Sequence, residues 1–212
     1  MGSFDSVNRS GKRFTGDRTH GAKLAIRRNV LAAIGAERAH VFDAFAGPGE
    51  MHREVWSQAS SYTGCDERWY RDARRCFVGD NRLVMRAIDL RPFNVFDLDS
   101  FGSPWEQLAI LAHRRPLATG ETVGLVLTEG SGLKLKTSGV PLPLAWLCGL
   151  EAAHLKLANR AHDTLIEKAL AKVLQVMGGR VVARWQAKND QRASMRYVGL
   201  VIEAAAQASS GS

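Results

Sequence analysis

The last two apolar segments of the chain place the strongest constraint on its fold. The segments "GGRVVARWQAK" (178–188) and "MRYVGLVIE" (195–203) are rich in the β-branched and aromatic residues that favour strands, and only "NDQRAS" (189–194) separates them. A crossover between parallel strands needs about a dozen residues or more. The two segments are therefore predicted to form an antiparallel hairpin at the end of the chain.

Before this hairpin, strand-like and helix-like segments alternate, as they do in parallel β-α-β units. We predict five further strands, at 40–47, 61–66, 76–81, 94–99 and 122–130. We predict helices over about 21–35, 51–59, 67–75, 104–115 and 145–176, and a loop over 131–143. The pattern predicts an α/β protein with three layers and a seven-stranded, mostly parallel sheet whose last strand is antiparallel.

The chain is basic, and its positive charge is concentrated near the beginning. The net charge is +8, and residues 1–40 hold eight Lys or Arg against three Asp or Glu, hence a net charge of +5. We expect three parts: a flexible basic arm (1–20), a folded domain (21–204) and a disordered tail (205–212). Lys12 and Arg13 of the arm are candidates for contacts with nucleic acid, RNA or DNA, which is the partner expected. The alternative is a basic protein without a polyanionic partner.

Cysteine usage and hydropathy argue against several classes of protein. The three cysteines, Cys65, Cys76 and Cys148, are odd in number and lack CxxC spacing, so the sequence indicates neither a disulfide framework nor a zinc site. The histidines show no metal-ligand spacing either, and we expect no metal cofactor. No apolar run reaches about 18 residues and no signal-peptide core is visible, so we expect no membrane association and a cytoplasmic location.

A glycine-containing loop, "DAFAGPGE" (43–50), follows the first predicted strand. Its two glycines let the backbone approach a ligand closely, at the sheet edge where open α/β folds bind ligands. The candidate binding residues here are Asp43, Ala44, Phe45, Ala46, Gly47 and Gly49. The loop lacks the Gly-Lys-Ser/Thr of a P-loop, and His52 stands where a dinucleotide fingerprint requires a third glycine. The alternative is a Gly-Pro-Gly turn that only reverses the chain.

Polar side chains also lie at the ends of the second and third predicted strands. Asp66 lies about 20 residues past the glycine loop, where a carboxylate can accept both hydroxyls of a ribose. Asp80 and Asn81 lie at the tip of the third strand, where an adenine amino group can be read. The structural alternatives are a helix cap at Asp66 and a simple turn at the Asp80–Asn81 pair. Because the carboxyl ends of parallel strands share one edge of a sheet, these side chains are predicted to meet at one site.

The glycine loop, the acids after strands two and three, and the terminal hairpin together resemble the class I S-adenosylmethionine-dependent methyltransferases, over about residues 38–203. The resemblance implies a Rossmann-like methyltransferase fold and S-adenosyl-L-methionine as the cofactor. It implies that Asp43 and the backbone of 44–49 hold the methionine part, that Asp66 binds the ribose, and that Asp80 and Asn81 lie beside the adenine. Asp97, at the end of strand four, is expected at the same cofactor site.

The loop after strand four extends this resemblance. "DLDSFGSP" (97–104) looks like the Asp-Pro-Phe-Gly-Ser-Pro sequence of tRNA guanine-N2 dimethyltransferases, with Ser100 in place of the proline. By this likeness Asp99 accepts hydrogen bonds from an exocyclic amine and Phe101 stacks on a flipped base, which makes them the predicted catalytic residues. The predicted substrate-binding residues are Lys12, Arg13, Ser100, Gly102, Ser103, Pro104 and Glu129. The alternatives are a loop-stabilising carboxylate at Asp99 and a core phenylalanine at Phe101.

These patterns predict a single-domain N-methyltransferase that modifies a base amine in RNA, of the tRNA kind, or in DNA. Two other functions remain open at the level of the sequence. The first is a methyltransferase for a small molecule or a protein side chain. The second is a catalytically silent Rossmann-like protein that binds nucleic acid or pairs with an active partner.

Overall fold

The computed structural model describes residues 17–151, 160–188 and 195–205. Lys12 and Arg13, with most of the predicted basic arm, lie outside these ranges, as does the predicted tail after residue 205. Helix α1 (Asp17–Ile34) begins earlier than the sequence pattern predicts, so residues 17–20, assigned above to the arm, form its first turn.

The described ranges contain seven strands, β1 (His40–Asp43), β2 (Ser61–Asp66), β3 (Cys76–Val78), β4 (Val95–Leu98), β5 (Thr122–Glu129), β6 (Gly179–Lys188) and β7 (Arg196–Ala204). The helices after α1 are α2 (Glu50–Glu54), α3 (Asn81–Ala87), α4 (Trp105–Arg114), α5 (Gly132–Thr137), α6 (Leu142–Leu147) and α7 (Arg160–Met177). Single 3₁₀ turns occur at Ala36–Arg38 and Trp56–Gln58.

The strands form one sheet in the order β3-β2-β1-β4-β5-β7-β6. Neighbouring strands from β3 to β5 are parallel, whereas β7 is antiparallel to both β5 and β6. The predicted hairpin, the seven-stranded sheet and the antiparallel last strand are therefore confirmed. The order also places β4 beside β1, so the direction in which strands are added to the sheet reverses between these two strands.

Helices cover both faces of the sheet and give the three predicted layers. Successive residues of a strand point to opposite faces. Phe42 and Phe96 therefore enter an apolar cluster with α3, α4 and α7, while Val41 and Val95 enter a second cluster with α1. The core thus lies on both sides of the central strands β1 and β4.

Helix α1 packs directly against the sheet because two strand positions lack side chains. A Cβ at Gly124 would lie 2.6 Å from Val30 Cγ1, and a Cβ at Gly199 would lie 2.7 Å from Ile26 Cγ2. This close approach brings the polar residues of α1 to the carboxyl end of β4, where they contribute to the site described below.

Three segments differ from the prediction. The segment 67–75, predicted as a helix, is an irregular loop in which Arg71 has a positive φ of 56°. The segment 131–143, predicted as a loop, contains α5. The predicted helix over 145–176 is interrupted, since α6 ends at Leu147 and Gly149 follows with a φ of 66°.

Among the helices of the described ranges, none combines the length and the apolar character needed to cross a membrane.

Candidate functional site

The acidic residues singled out in the sequence lie at one edge of the sheet. Asp43, Asp66 and Asp97 lie at the carboxyl ends of the neighbouring strands β1, β2 and β4, with Asp43 paired in register to Asp97. The strand order reverses between β1 and β4, and open α/β sheets bind ligands at such a switch point. The structure therefore brings these three carboxyl groups to the place where a ligand is expected.

Two cavities adjoin at this edge. The acidic cavity, of about 120 Å³, is lined mainly by His20, Lys23, Asp43, Gly47, Asp97 and Asp99. The aromatic cavity, of about 370 Å³, is lined mainly by Asp80, Asn81, Ser100, Phe101, Ser103 and Lys134. Phe45 lines both, so the glycine loop forms the boundary between them.

The glycine loop takes its shape from left-handed glycines and from two long-range contacts. Gly47 and Gly49 have φ values of 46° and 79°, which favour glycine. Asp66 Oδ2 accepts the Gly47 N–H at 2.9 Å, so the end of β2 holds the loop. The Arg74 guanidinium donates to the carbonyls of Ala46 at 2.9 Å and Gly47 at 2.7 Å. Sequence reasoning missed Arg74, because it lies in the segment predicted as a helix.

Asp43 is a buried carboxyl group whose pKa is raised well above its usual value. It is 2% exposed and accepts hydrogen bonds from the Phe45 N–H at 3.1 Å and the Tyr62 hydroxyl at 2.9 Å. Burial, together with the nearby Asp97 carboxylate, raises the pKa of Asp43 to about 8. A cationic ligand group in the acidic cavity would favour the charged form and lower this pKa.

We expect Asp43 to make the folded protein less stable as the pH rises. Its folded-state pKa of about 8 lies above the usual value of 3.8. Its stabilising contribution is therefore complete below about pH 4 and is lost as the pH rises through about 8. Between about pH 5 and pH 8, the free energy of unfolding should fall more steeply for the wild type than for Asp43→Asn, by up to about 1.4 kcal/mol per pH unit. Urea unfolding at a series of pH values measures both slopes, and equal slopes would contradict the expectation.

Asp97 is the centre of a buried ion pair. Arg27 donates to both carboxylate oxygens, from Nε to Oδ2 at 2.6 Å and from Nη2 to Oδ1 at 2.8 Å, and Trp56 Nε1 donates to Oδ2 at 2.7 Å. The side chains of Asp97 and Arg27 are 0% and 1% exposed. Asp97 borders the acidic cavity, and its charge is matched by Arg27, so it has a structural role beside the predicted cofactor contact.

Asp99, the predicted acceptor for a substrate amine, is held by two cations. Lys23 Nζ lies 2.8 Å and 2.9 Å from its carboxylate oxygens, and Arg27 Nη2 lies 3.0 Å from Oδ2. Burial raises the pKa of a carboxyl group, but the charges of Arg27 and Lys23 outweigh burial and hold the pKa of Asp99 below its usual range. Asp99 is therefore an anion at neutral pH.

The loop after β4 is tied to the end of β5. Ser100 Oγ donates to the Thr128 carbonyl at 2.9 Å, and the Gly130 N–H donates to the Gly102 carbonyl at 2.5 Å. Ser100 stands where the resembling sequence has proline, and its hydroxyl makes a hydrogen bond that proline lacks. Pro104 is buried at the start of α4 and shapes the turn, which corrects its predicted contact with substrate.

Phe101 projects outward from this loop and is 83% exposed, so it is not a core residue. It lines the aromatic cavity together with Ser100 and Ser103, whereas Asp99 lines the acidic cavity. The two predicted catalytic residues thus border adjoining cavities, on either side of the boundary formed by Phe45.

Asp80 and Asn81, for which a place beside the adenine is predicted, line the aromatic cavity, and both also have structural partners. Asp80 caps α3 by accepting the Arg82 N–H at 2.8 Å, and the Arg82 side chain lowers the pKa of Asp80 to about 2. Asn81 Nδ2 donates to the Ala44 carbonyl at 2.7 Å, and Asn81 Oδ1 accepts from Gln107 at 2.9 Å. Asn81 therefore links the glycine loop to α4.

Glu129, predicted to contact substrate, is an interior residue. It is 1% exposed, accepts from Trp105 Nε1 and from the Ser131 N–H at 3.1 Å each, and pairs with the buried His162. Glu129 lines neither cavity, because its carboxylate turns toward α4, α7 and the start of α5. We therefore correct the predicted substrate contact: Glu129 fixes the turn after β5, to which the Phe101 loop is tied.

Within the described residues, no group of three or more His, Cys, Asp or Glu side chains is arranged to hold a metal ion.

Neither the models of known protein families nor the curated protein sequences match this chain. Solved structures do resemble it. Trm1 from Pyrococcus horikoshii with S-adenosyl-L-methionine has a TM-score of 0.61 at 14% identity, and the match covers 94% of this chain and 58% of Trm1. M. jannaschii TYW2 in complex with AdoMet has a TM-score of 0.53 at 13% identity, covering 93% of this chain and 85% of TYW2.

A third structure, the N-methyltransferase NodS from Bradyrhizobium japonicum WM9, has a TM-score of 0.52 at 9% identity, covering 91% of this chain and all of NodS (100%). These likenesses establish the fold. The chain has the Rossmann-like fold of the class I S-adenosylmethionine-dependent methyltransferases, as its sequence predicts.

Proposed function

We propose that this chain is an S-adenosylmethionine-dependent N-methyltransferase that modifies an exocyclic amine of a nucleic-acid base. The observation that carries the proposal is the loop after β4, where the Asp99 carboxylate and the exposed Phe101 ring lie beside the glycine loop at the switch point of the sheet. This loop resembles that of the tRNA guanine-N2 dimethyltransferases, and the fold resembles Trm1 and NodS. RNA of the tRNA kind is therefore the polymer we favour, and DNA is the second.

The groups at the switch point suit the proposed cofactor. Gly47 lines the acidic cavity, and a Cβ there would meet no atom closer than 3.8 Å, so the loop leaves room beside its backbone. Asp66 uses one acceptor position on each oxygen, for the N–H groups of Gly47 and Arg68, and a carboxylate has about four such positions. Two positions remain for ribose hydroxyls, and Asp43 can face an ammonium group. When bound, S-adenosylmethionine supplies an electrophilic methyl group on a sulfonium sulfur.

The residues of the loop after β4 suit positioning rather than acid–base chemistry. The lone pair of an exocyclic amine is delocalised into the base, which makes the amine a weak nucleophile. Asp99, as an anion, can accept an N–H of that amine and orient its lone pair. Phe101 offers an exposed ring on which an unstacked base can lie.

A polyanionic substrate agrees with the charge of the chain. The net charge is +8, and the exposed Lys134 lines the same cavity as Phe101. Phosphate groups beside a base would be attracted to such a surface, and the binding would weaken with added salt.

We expect Arg74 to strengthen binding of the cofactor, because its planar guanidinium group donates to two carbonyls of the glycine loop and so fixes the shape of that loop. In Arg74→Lys the single ammonium cannot reproduce both hydrogen bonds, and the affinity for S-adenosylhomocysteine should fall about 10-fold. Isothermal titration calorimetry measures this change. Arg75→Lys, at the exposed next position, is the matched control and should bind like the wild type.

The proposed function is tested with methyl-labelled S-adenosylmethionine and separate pools of tRNA, rRNA, DNA and free nucleosides. We expect label in a base of the tRNA pool, and less label with Phe101→Ala at the same cofactor occupancy. Label in free nucleosides alone would favour a small-molecule methyltransferase. Cofactor binding without transfer to any pool would favour a catalytically silent protein, and the absence of cofactor binding would contradict the proposal altogether.

A further inference from the structure

The carboxylate proposed to accept the substrate amine is covered by a lysine. Lys23 Nζ contacts both oxygens of Asp99, at 2.8 Å and 2.9 Å, and so occupies the position from which an amine would donate its N–H. Asp99 is only 13% exposed with Lys23 in place. Three cation contacts leave about one of the four acceptor positions of this poorly exposed carboxylate, so the amine gains full access to Asp99 only when Lys23 moves away.

Of the two cations at Asp99, only Lys23 can leave without isolating a buried charge. Arg27 is 1% exposed, donates to both oxygens of Asp97, and also donates from Nη1 to the Lys23 carbonyl at 3.1 Å. Lys23 is 20% exposed on a flexible stem. If Lys23 moves, Asp99 still has Arg27 Nη2 at 3.0 Å. The structure thus contains one fixed counter-ion and one movable counter-ion for the same carboxylate.

The chemistry of the acidic cavity offers Lys23 another partner. Four carboxyl groups line the cavity, at Asp43, Glu50, Asp97 and Asp99, and Lys23 is the only Lys or Arg among its described lining residues. His20 also lines it and lies 3.8 Å from Glu50. The amino-acid end of the proposed cofactor carries an ammonium group and a carboxylate. An ammonium group in this cavity can meet Glu50 and favours the charged form of Asp43, whereas none of the four acids can pair with the carboxylate. Lys23 is the cation that can neutralise that carboxylate.

We infer that Lys23 exchanges Asp99 for the carboxylate of the amino-acid moiety of the cofactor, so that cofactor binding uncovers the acceptor for the substrate amine. This inference rests on the proposed function, whose cofactor supplies the zwitterion. It makes Lys23 a positioning residue that acts through Asp99, and it imposes an order in which the cofactor binds before the amine.

The experiment compares S-adenosylhomocysteine with its decarboxylated form, which keeps the ammonium group and lacks the carboxylate. By calorimetry, the Lys23→Met variant should bind S-adenosylhomocysteine about 10- to 100-fold more weakly than the wild type does. Its affinity for the decarboxylated form should not fall. Lys23→Arg should keep the preference for the carboxylate. Arg28→Met, an exposed cation on the same helix, should match the wild type. Thermal melting establishes that each variant is folded.

A second readout follows Lys23 directly. In the NMR spectrum of ¹⁵N-labelled protein, the Lys23 ammonium signal is identified by its absence from the Lys23→Met variant. This signal should shift when S-adenosylhomocysteine is added and should not shift when the decarboxylated form is added. An equal loss of affinity for both nucleosides, or a Lys23 signal that S-adenosylhomocysteine leaves unmoved, would overturn the inference while the proposed function stands. Failure of the wild type to bind either nucleoside would instead show that the proposed function is wrong.

Discussion

Replacing Arg27 by methionine should lower the free energy of unfolding by about 3–5 kcal/mol, the cost of leaving a buried carboxylate without its cation. Asp97 is 0% exposed and receives two of its three hydrogen bonds from Arg27. Methionine keeps the helix propensity and much of the volume of the side chain, so the loss reports mainly on charge. Urea unfolding at neutral pH measures the change.

Two further variants separate the ion pair from its surroundings. The double variant Arg27→Met with Asp97→Asn removes both charges, and it should recover most of the lost stability because no buried ion remains unpaired. Arg28→Met, one position along α1 on the exposed side, should change stability by no more than about 0.5 kcal/mol. A double variant as unstable as Arg27→Met would indicate that packing, and not charge, accounts for the effect.

The parts of the fold that were predictable from the sequence are those with a local signature. The hairpin of β6 and β7 was predictable because the linker between the two strand-like segments is too short to contain a crossover between parallel strands. The glycine loop follows from Gly47 and Gly49, whose positive φ values need glycine. Asp43 and Asp66 were placed at one edge because both end strands of a parallel sheet.

The parts that were not predictable depend on partners distant in sequence. Lys23 and Asp99 are 76 residues apart, and no local pattern relates a residue of α1 to the loop after β4. The segment 67–75 has a helix-compatible composition, yet it forms an irregular loop whose Arg74 donates to two carbonyls of the distant glycine loop. Glu129 ends a strand as Asp43 and Asp66 do, but its carboxylate turns inward to Trp105 of α4, Ser131 and His162 of α7. Two of these partners are more than 20 residues away in sequence.

Methyl transfer should fall at least about 100-fold in Asp99→Ala, because the amine loses the acceptor that orients its lone pair, and misplacement of a reacting group costs on that order. The affinity for S-adenosylhomocysteine should not fall, since removal of Asp99 leaves Lys23 free to meet the carboxylate of the cofactor. The fold should also persist, because Arg27 keeps Asp97 as its partner. Single-turnover rates at saturating labelled cofactor, with calorimetry and thermal melting on the same preparation, measure all three.

Asp99→Asn provides the matched control for this prediction. An asparagine keeps one oxygen that can accept an N–H but has no charge, so its rate should lie between those of the wild type and Asp99→Ala. Wild-type transfer by Asp99→Ala would remove Asp99 from the reaction and leave it as a structural partner of Lys23 and Arg27. A fall in cofactor affinity in place of the rate would move Asp99 from the substrate side to the cofactor side of the site. Measuring the transfer rate and the cofactor affinity separately therefore decides whether Asp99 acts on the substrate amine or on the cofactor.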